Sequence, residues 1–234
     1  MPDYSNRLGR IETPQAQRDA RRAAGYTFEK ALQGIAPPAP EHLPDRKLWR
    51  APSQELDQIG PTCTVYSIGS FLEASPMMTP EGKLPKFAPL YARARDLDEI
   101  PGTDYEGSTV HGAAMAYAEA GWIGTYLWTN SPEALRTWLY TRGTVVVGTD
   151  WYEGMMDTDR AGYLNLTGPI VGGHAYNIVG HSRKRQAYRI RQTWGDEWGE
   201  QGRAWIHERD LHELISATRG GEVLTAVQDK LIIP

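Results

Sequence analysis

The sequence predicts an α+β fold of two lobes, a helical lobe followed by an antiparallel β-sheet lobe, with a cleft between them. Apolar residues recur at helical three-to-four spacing in the first half of the body, and the second half changes to short β-prone runs separated by glycine or polar turns. A chain of 234 residues with 40% hydrophobic content can also bury one substantial core, which argues for one main domain.

Residues 1–42 read as a separable arm, and residues 43–234 as the main domain. Within the arm, Thr13 to Ile35 is rich in Ala, Arg, Gln and Glu and favours a helix, which Pro37, Pro38, Pro40 and Pro44 then break. In the body, Thr62 is placed to cap a helix that carries Val65, Ile68, Phe71 and Leu72 on one face, with Cys63 in its first turn. Further helices are expected over Pro89 to Ala94, Val110 to Ala120, and Pro132 to Arg142 behind the cap Ser131. Strands are expected at Thr144 to Val147, Ala175 to Gly180, Tyr188 to Arg191 and Ala204 to Ile206. No internal repeat is present, which sets solenoids and propellers aside.

Composition removes several function classes. The net charge is −4 and no basic block is long enough to track phosphates, so a nucleic-acid partner is not expected. One cysteine permits neither an internal disulfide nor a Cys-rich metal centre, and it suits a reducing compartment. The first 22 residues lack the apolar core of a signal peptide and nowhere do 18 apolar residues run together, so the expectation is a cytoplasmic chain, or a phage-particle component, without a membrane partner. Arginine outnumbers lysine 19 to 6, as a GC-rich bacterial or phage genome would favour. No metal or other cofactor is expected. His207 and His212 lack the HExxH spacing and read as surface residues, His111 and His181 as structural, and the acidic run Asp96, Asp98, Glu99, Asp104 and Glu106 as a solvated loop.

A thiol in the first turn of a helix faces the positive end of the macrodipole, which favours the thiolate. Cys63 is so placed, although a lone helical cysteine reads on composition alone as a small buried hydrophobe. The sequence elsewhere supplies context. Gly173-His174 opens a β-prone run, and Gln192-Thr193-Trp194-Gly195, Trp198-Gly199 and Gly202 follow in order, while an Asp57-Gln58 pair leads toward Cys63. From about Leu43 to Glu208 this pattern resembles the papain family of cysteine peptidases, in its bacterial or phage form.

The resemblance implies that Cys63 attacks the substrate carbonyl, that His174 accepts and returns the proton, and that water hydrolyses the resulting thioester. The two lie 111 residues apart, fewer than the roughly 130–150 of cathepsin-like members, as a loop-trimmed chain would give. Gln192 stands where the family has the asparagine that orients the histidine; Asn177, at an odd offset from His174 along a strand, should face the other way. Gln58 is the candidate oxyanion donor, one residue nearer the nucleophile than usual, and Asp57 at the usual offset would repel the developing charge. Gly172, Gly173 and Trp194 are the expected substrate-contacting residues, the glycines leaving backbone free to pair with an extended peptide.

The implied activity is hydrolysis of peptide or isopeptide bonds, with a protein or peptide as substrate. The alternatives are an inactive papain-like fold serving as a binding or structural component, and an acyltransferase. Two expectations complete the reading. Cys63 should be abnormally acidic through an ion pair with His174. The arm should either lie along the cleft as a pro-segment, docked through Ala20, Tyr26, Phe28, Leu32 and Ile35, or anchor a partner in an assembly.

Overall fold

The computed structural model describes residues 3–34, 43–80, 82–98, 100–102 and 104–226. Its helical lobe is built from α3 (Cys63–Glu73), α4 (Phe87–Leu97) and α5 (Val110–Glu119), preceded along the chain by α1 (Gln15–Ala23) and α2 (Phe28–Ala31) of the arm. Two further helices, α6 (Pro132–Thr141) and α7 (Glu208–Leu214), pack on the sheet lobe. Thr109 and Ser131 cap α5 and α6, their side chains accepting from the amides of Gly112 and Ala134. The single arm helix expected from Thr13 to Ile35 is instead two, because Gly25 takes a φ of +78° and turns the chain between them.

The sheet lobe holds β4 (Tyr126–Thr129), β5 (Val145–Tyr152), β6 (Ile170–Ser182), β7 (Ala187–Arg191), β8 (Arg203–His207) and β9 (Glu222–Ala226), while β2 (Arg46–Leu48) pairs with the end of β6. The order is β4-β9-β5-β6-β7-β8, and every pairing in it is antiparallel. Two remaining strands form a separate parallel pair, β1 (Arg10–Ile11) of the arm against β3 (Ser108–Thr109). Because strand side chains alternate, β5 and β6 feed both cores. Val146 and Ala175 join α3, α4 and α5 in one cluster, and Val145, Val147, Tyr176 and Ile178 join α6, α7 and the outer strands in the other.

Arg191 ties the lobes together. Fully buried on β7, it pairs with Glu55, lies 3.1 Å from Glu73 at the end of α3, and donates to the Ser70 carbonyl at 2.8 Å. Burial pushes the Glu55 carboxyl up, against the pull of Arg191 and Arg203. Arg191→Ala leaves Glu73 without its cation and Glu55 with Arg203 alone, and is expected to cost about 3–5 kcal/mol, read as a lower denaturant midpoint at unchanged slope.

The arm is packed on the body. Phe28 and Leu32 are in the core, with the Phe28 ring 4.6 Å from that of Trp138. Ala20 and Tyr26, expected on the docking face, are exposed; Ile35 lies outside the described residues. Among the described residues no helix is long and apolar enough to cross a membrane, and no group of His, Cys, Asp or Glu is placed to hold a metal. Glu99 of the acidic run is outside them, and Asp98 is buried, not solvated, accepting from the Tyr105 hydroxyl at 2.9 Å. His212 is likewise half-buried, 2.9 Å from the Tyr188 hydroxyl.

Candidate active site

Cys63 is the first residue of α3, as expected, but Thr62 does not cap the helix through its side chain; its hydroxyl donates back to the Ile59 carbonyl at 2.8 Å. The first amides of α3 therefore stay directed at the site. The thiol is fully buried and meets the backbone N–H groups of Thr64, of Ala175 on β6, and of Gly9 in the arm. Ala175 follows His174 directly, so the first turn of α3 lies against the strand segment that carries the histidine.

The His174 ring donates from Nε2 to the Gln192 side-chain oxygen at 2.7 Å, and its Nδ1 has no partner among the described residues. An amide oxygen can only accept, so this bond leaves Nδ1 as the unprotonated, basic nitrogen. Gln192 thus reaches the ring from the position where the asparagine was expected. Asn177 faces away, donating to the Ser67 carbonyl at 3.0 Å. Trp194, 2% exposed, lies over the ring with centroids 4.6 Å apart, and Trp151 meets it edge-on at 4.9 Å. Trp151 was missed from sequence; its place in a β-prone run, two residues beyond the Thr149 that pairs with His174, is the signal that could have found it.

Gln58 is 1% exposed. Thr193 donates to its side-chain oxygen at 2.8 Å, which turns the amide nitrogen toward the carbonyls of Arg7, at 2.9 Å, and Gly60, at 2.8 Å. Asp57 is mostly exposed and pairs with the Arg7 guanidinium. Thr193 is a further residue missed, though it sits between two motif residues.

The cleft is occupied by the arm, and by residues upstream of its helices. Tyr4 stacks on Trp194 at 4.9 Å with the rings 5° from parallel. Gly9 donates to the Gly173 carbonyl at 3.1 Å and accepts from Ser108 at 2.9 Å, so the chain is bonded on both sides as it passes the thiol. A side chain at Gly173 would not be tolerated with the arm in place, since its Cβ would stand 2.1 Å from the Arg10 carbonyl oxygen, and one at Gly172 would press on the Leu8 side chain at 3.0 Å.

This cover overturns the expected acidity of the thiol. Burial pushes the Cys63 thiol up to about 11, despite the backbone amides and Arg10, and lowers the His174 imidazole to about 3, despite Gln192. Desolvation opposes both charged forms, so the pair is neutral with the arm in place.

The model of the papain family cysteine protease matches residues 105–217, a span that contains His174, Gln192 and Trp194 and begins after Cys63. The chain is 28% identical over 118 residues to cathepsin B-like cysteine proteinase 3 of Ostertagia ostertagi, covering 49% of this chain and 67% of that protein. It is 35% identical over 75 residues to a cathepsin B-like cysteine proteinase of Schistosoma japonicum, covering 31% of this chain and only 22% of the relative. Among solved structures it resembles xylellain, a cysteine protease from Xylella fastidiosa, with a TM-score of 0.72 at 15% identity over 98% of this chain and 99% of that one. Procathepsin B S9 of Trypanosoma congolense follows, with a TM-score of 0.53 at 13% identity over 97% and 85% of the two chains.

Proposed function

We propose that the chain, whose residues 105–217 match the papain family cysteine protease model, is a cysteine peptidase of that family that hydrolyses peptide or isopeptide bonds through a thioester on Cys63. The observation that carries this reading is the way the body holds a peptide backbone across the thiol. Gln58 donates to one carbonyl of that backbone, Gly173 and Ser108 bond it from either side, and Gly9 lies against Cys63.

In a substrate complex the Cys63 sulfur attacks the carbonyl carbon, and the oxygen that becomes negative is received by the Gln58 amide and the backbone N–H at the start of α3. His174 Nδ1 takes the thiol proton and delivers it to the leaving amine as the carbon–nitrogen bond breaks. Water then attacks the thioester, His174 accepts its proton, and the thiol is restored as the acid leaves. Gln192 holds the tautomer that leaves Nδ1 basic, and Trp194 shields that bond from water. Gly172 and Gly173 serve as the backbone-pairing edge for the substrate.

With residues 8–11 in the cleft and the pair uncharged, the chain as it stands is closed to substrate, and its apolar arm residues Phe28 and Leu32 are taken up internally. A protein or peptide is the proposed substrate, and a reducing compartment such as the cytoplasm the proposed setting, on the single cysteine.

Loosening the strand tests the reading. Arg10→Ala in the full chain is expected to raise hydrolysis of fluorogenic peptides several-fold over the unaltered chain, and a further Cys63→Ala to abolish it. Turnover that survives loss of Cys63 would assign the chemistry elsewhere.

A further inference from the structure

The arm buries an arginine within electrostatic reach of the thiol, and the space that receives it is lined by the body. Arg10 is 5% exposed. Its Nη2 donates to the Gly220 carbonyl, and its Nη1 lies 3.8 Å from Asp150 Oδ1. Its Nε has no partner among the described residues.

Bare backbone makes the room. A Cβ on Gly148 would stand 2.7 Å from Val110 Cγ2 and in ordinary contact, 3.4 Å, with the Cγ and Nε of Arg10, and one on Gly173 would stand 3.2 Å from Arg10 Cδ. Asp150 is directly opposite Gly173 in the β5–β6 register, two residues from the Ala175 that meets the thiol. The Asp150 side chain keeps 26% of its exposure. The pocket therefore ends in the Gly220 carbonyl, which also accepts from Arg18 of the arm at 3.0 Å, and in the Asp150 carboxylate, which faces Arg10. An aliphatic or aromatic side chain would fill the volume and leave the Asp150 carboxylate without this partner.

Resting on the peptidase reading above, we propose that Gly148, Asp150 and Gly220 form a substrate subsite that selects a basic side chain, and that Arg10 is its internal stand-in. Arginine is favoured over lysine, because two acceptors approached from different directions suit a planar fork better than a single ammonium.

The test uses the full-length Arg10→Ala chain with a mixed-sequence peptide library, cut sites being read by mass spectrometry. Arginine should be enriched about tenfold over leucine or phenylalanine at one position beside the cut, the value of one charge-assisted contact. Adding Asp150→Asn should remove most of that enrichment. Apolar preference at that position, or a basic preference that Asp150→Asn leaves intact, overturns the proposal while the peptidase reading stands.

A second measurement needs no turnover. Cys63 is the sole cysteine, so its alkylation rate reports cleft occupancy without ambiguity. A synthetic peptide of residues 4–14 should protect the Arg10→Ala chain, and the same peptide with alanine for Arg10 should protect about tenfold more weakly. Asp150→Asn in the protein should bring the two peptides together. If nothing is cleaved but this Arg- and Asp150-dependent protection appears, the peptidase reading fails and the pocket survives; equal protection by both peptides, or none, rejects the pocket.

Discussion

Replacing His174 with alanine in the arm-loosened chain should lower turnover by about 10⁴-fold or more, with little change in the affinity for a peptide. In the proposed mechanism the imidazole moves the thiol proton: its Nδ1 has no partner among the described residues, while Nε2 is committed to Gln192. Gln192→Ala should be milder, about 10- to 100-fold in kcat, because the ring keeps its packing between Trp194 and Trp151 and loses only the bond that sets its tautomer. Gln192→Asn should recover much of that loss. The measurement is kcat on a fluorogenic peptide for each variant; His174→Ala within tenfold of its parent would mean that another group carries the proton.

Acid should open the unaltered chain. In the closed state the His174 imidazole is held near 3, well below an ordinary histidine at about 6.5, so the closed state binds no proton where the open state does. Closure is therefore at full strength above pH 6.5 and weakens as pH falls toward 3, by an amount on the order of 5 kcal/mol if the whole shift comes from the arm. Cys63 acts at the other end. Its thiol is raised to about 11, so closure is undisturbed below about pH 8.5 and weakens as alkali ionises the open form. Labelling of Cys63 by an activated pyridyl disulfide should accordingly rise between pH 7 and pH 4, against the usual trend for a free thiol. A monotonic fall over that range would show that the arm leaves without proton uptake at the site.

The sequence made some parts of this arrangement legible and hid others for identifiable reasons. Cys63, His174 and Gln192 were readable because each sits in a short motif whose local geometry is self-contained: a helix start, a strand carrying paired glycines, and a strand end. The four body helices and the middle strands followed from period. By contrast, β4, β9 and α7 were not anticipated, since Tyr126–Thr129 and Glu222–Ala226 become strands by pairing with each other across nearly a hundred residues. The strand beside Cys63 was the deepest miss. An Arg-Leu-Gly-Arg-Ile run has no alternation, and its partners at Gly173 and Ser108 are remote in the chain. That miss propagated, because the thiol's acidity was judged from the helix start alone, without the strand that excludes water from it.

The occupant of the cleft is also covalently part of the molecule, joined to Leu43 through the eight residues 35–42. An intramolecular blocker is present at a fixed local concentration, of millimolar order for a short tether, whatever the protein concentration. Dilution therefore cannot release it, and the fraction of open molecules is a property of the single chain. A peptide arriving from solution competes with this standing concentration, so its apparent affinity is reduced by the factor by which the closed form outnumbers the open one. Peptides that bind weakly are screened out by the tether before any side chain is compared.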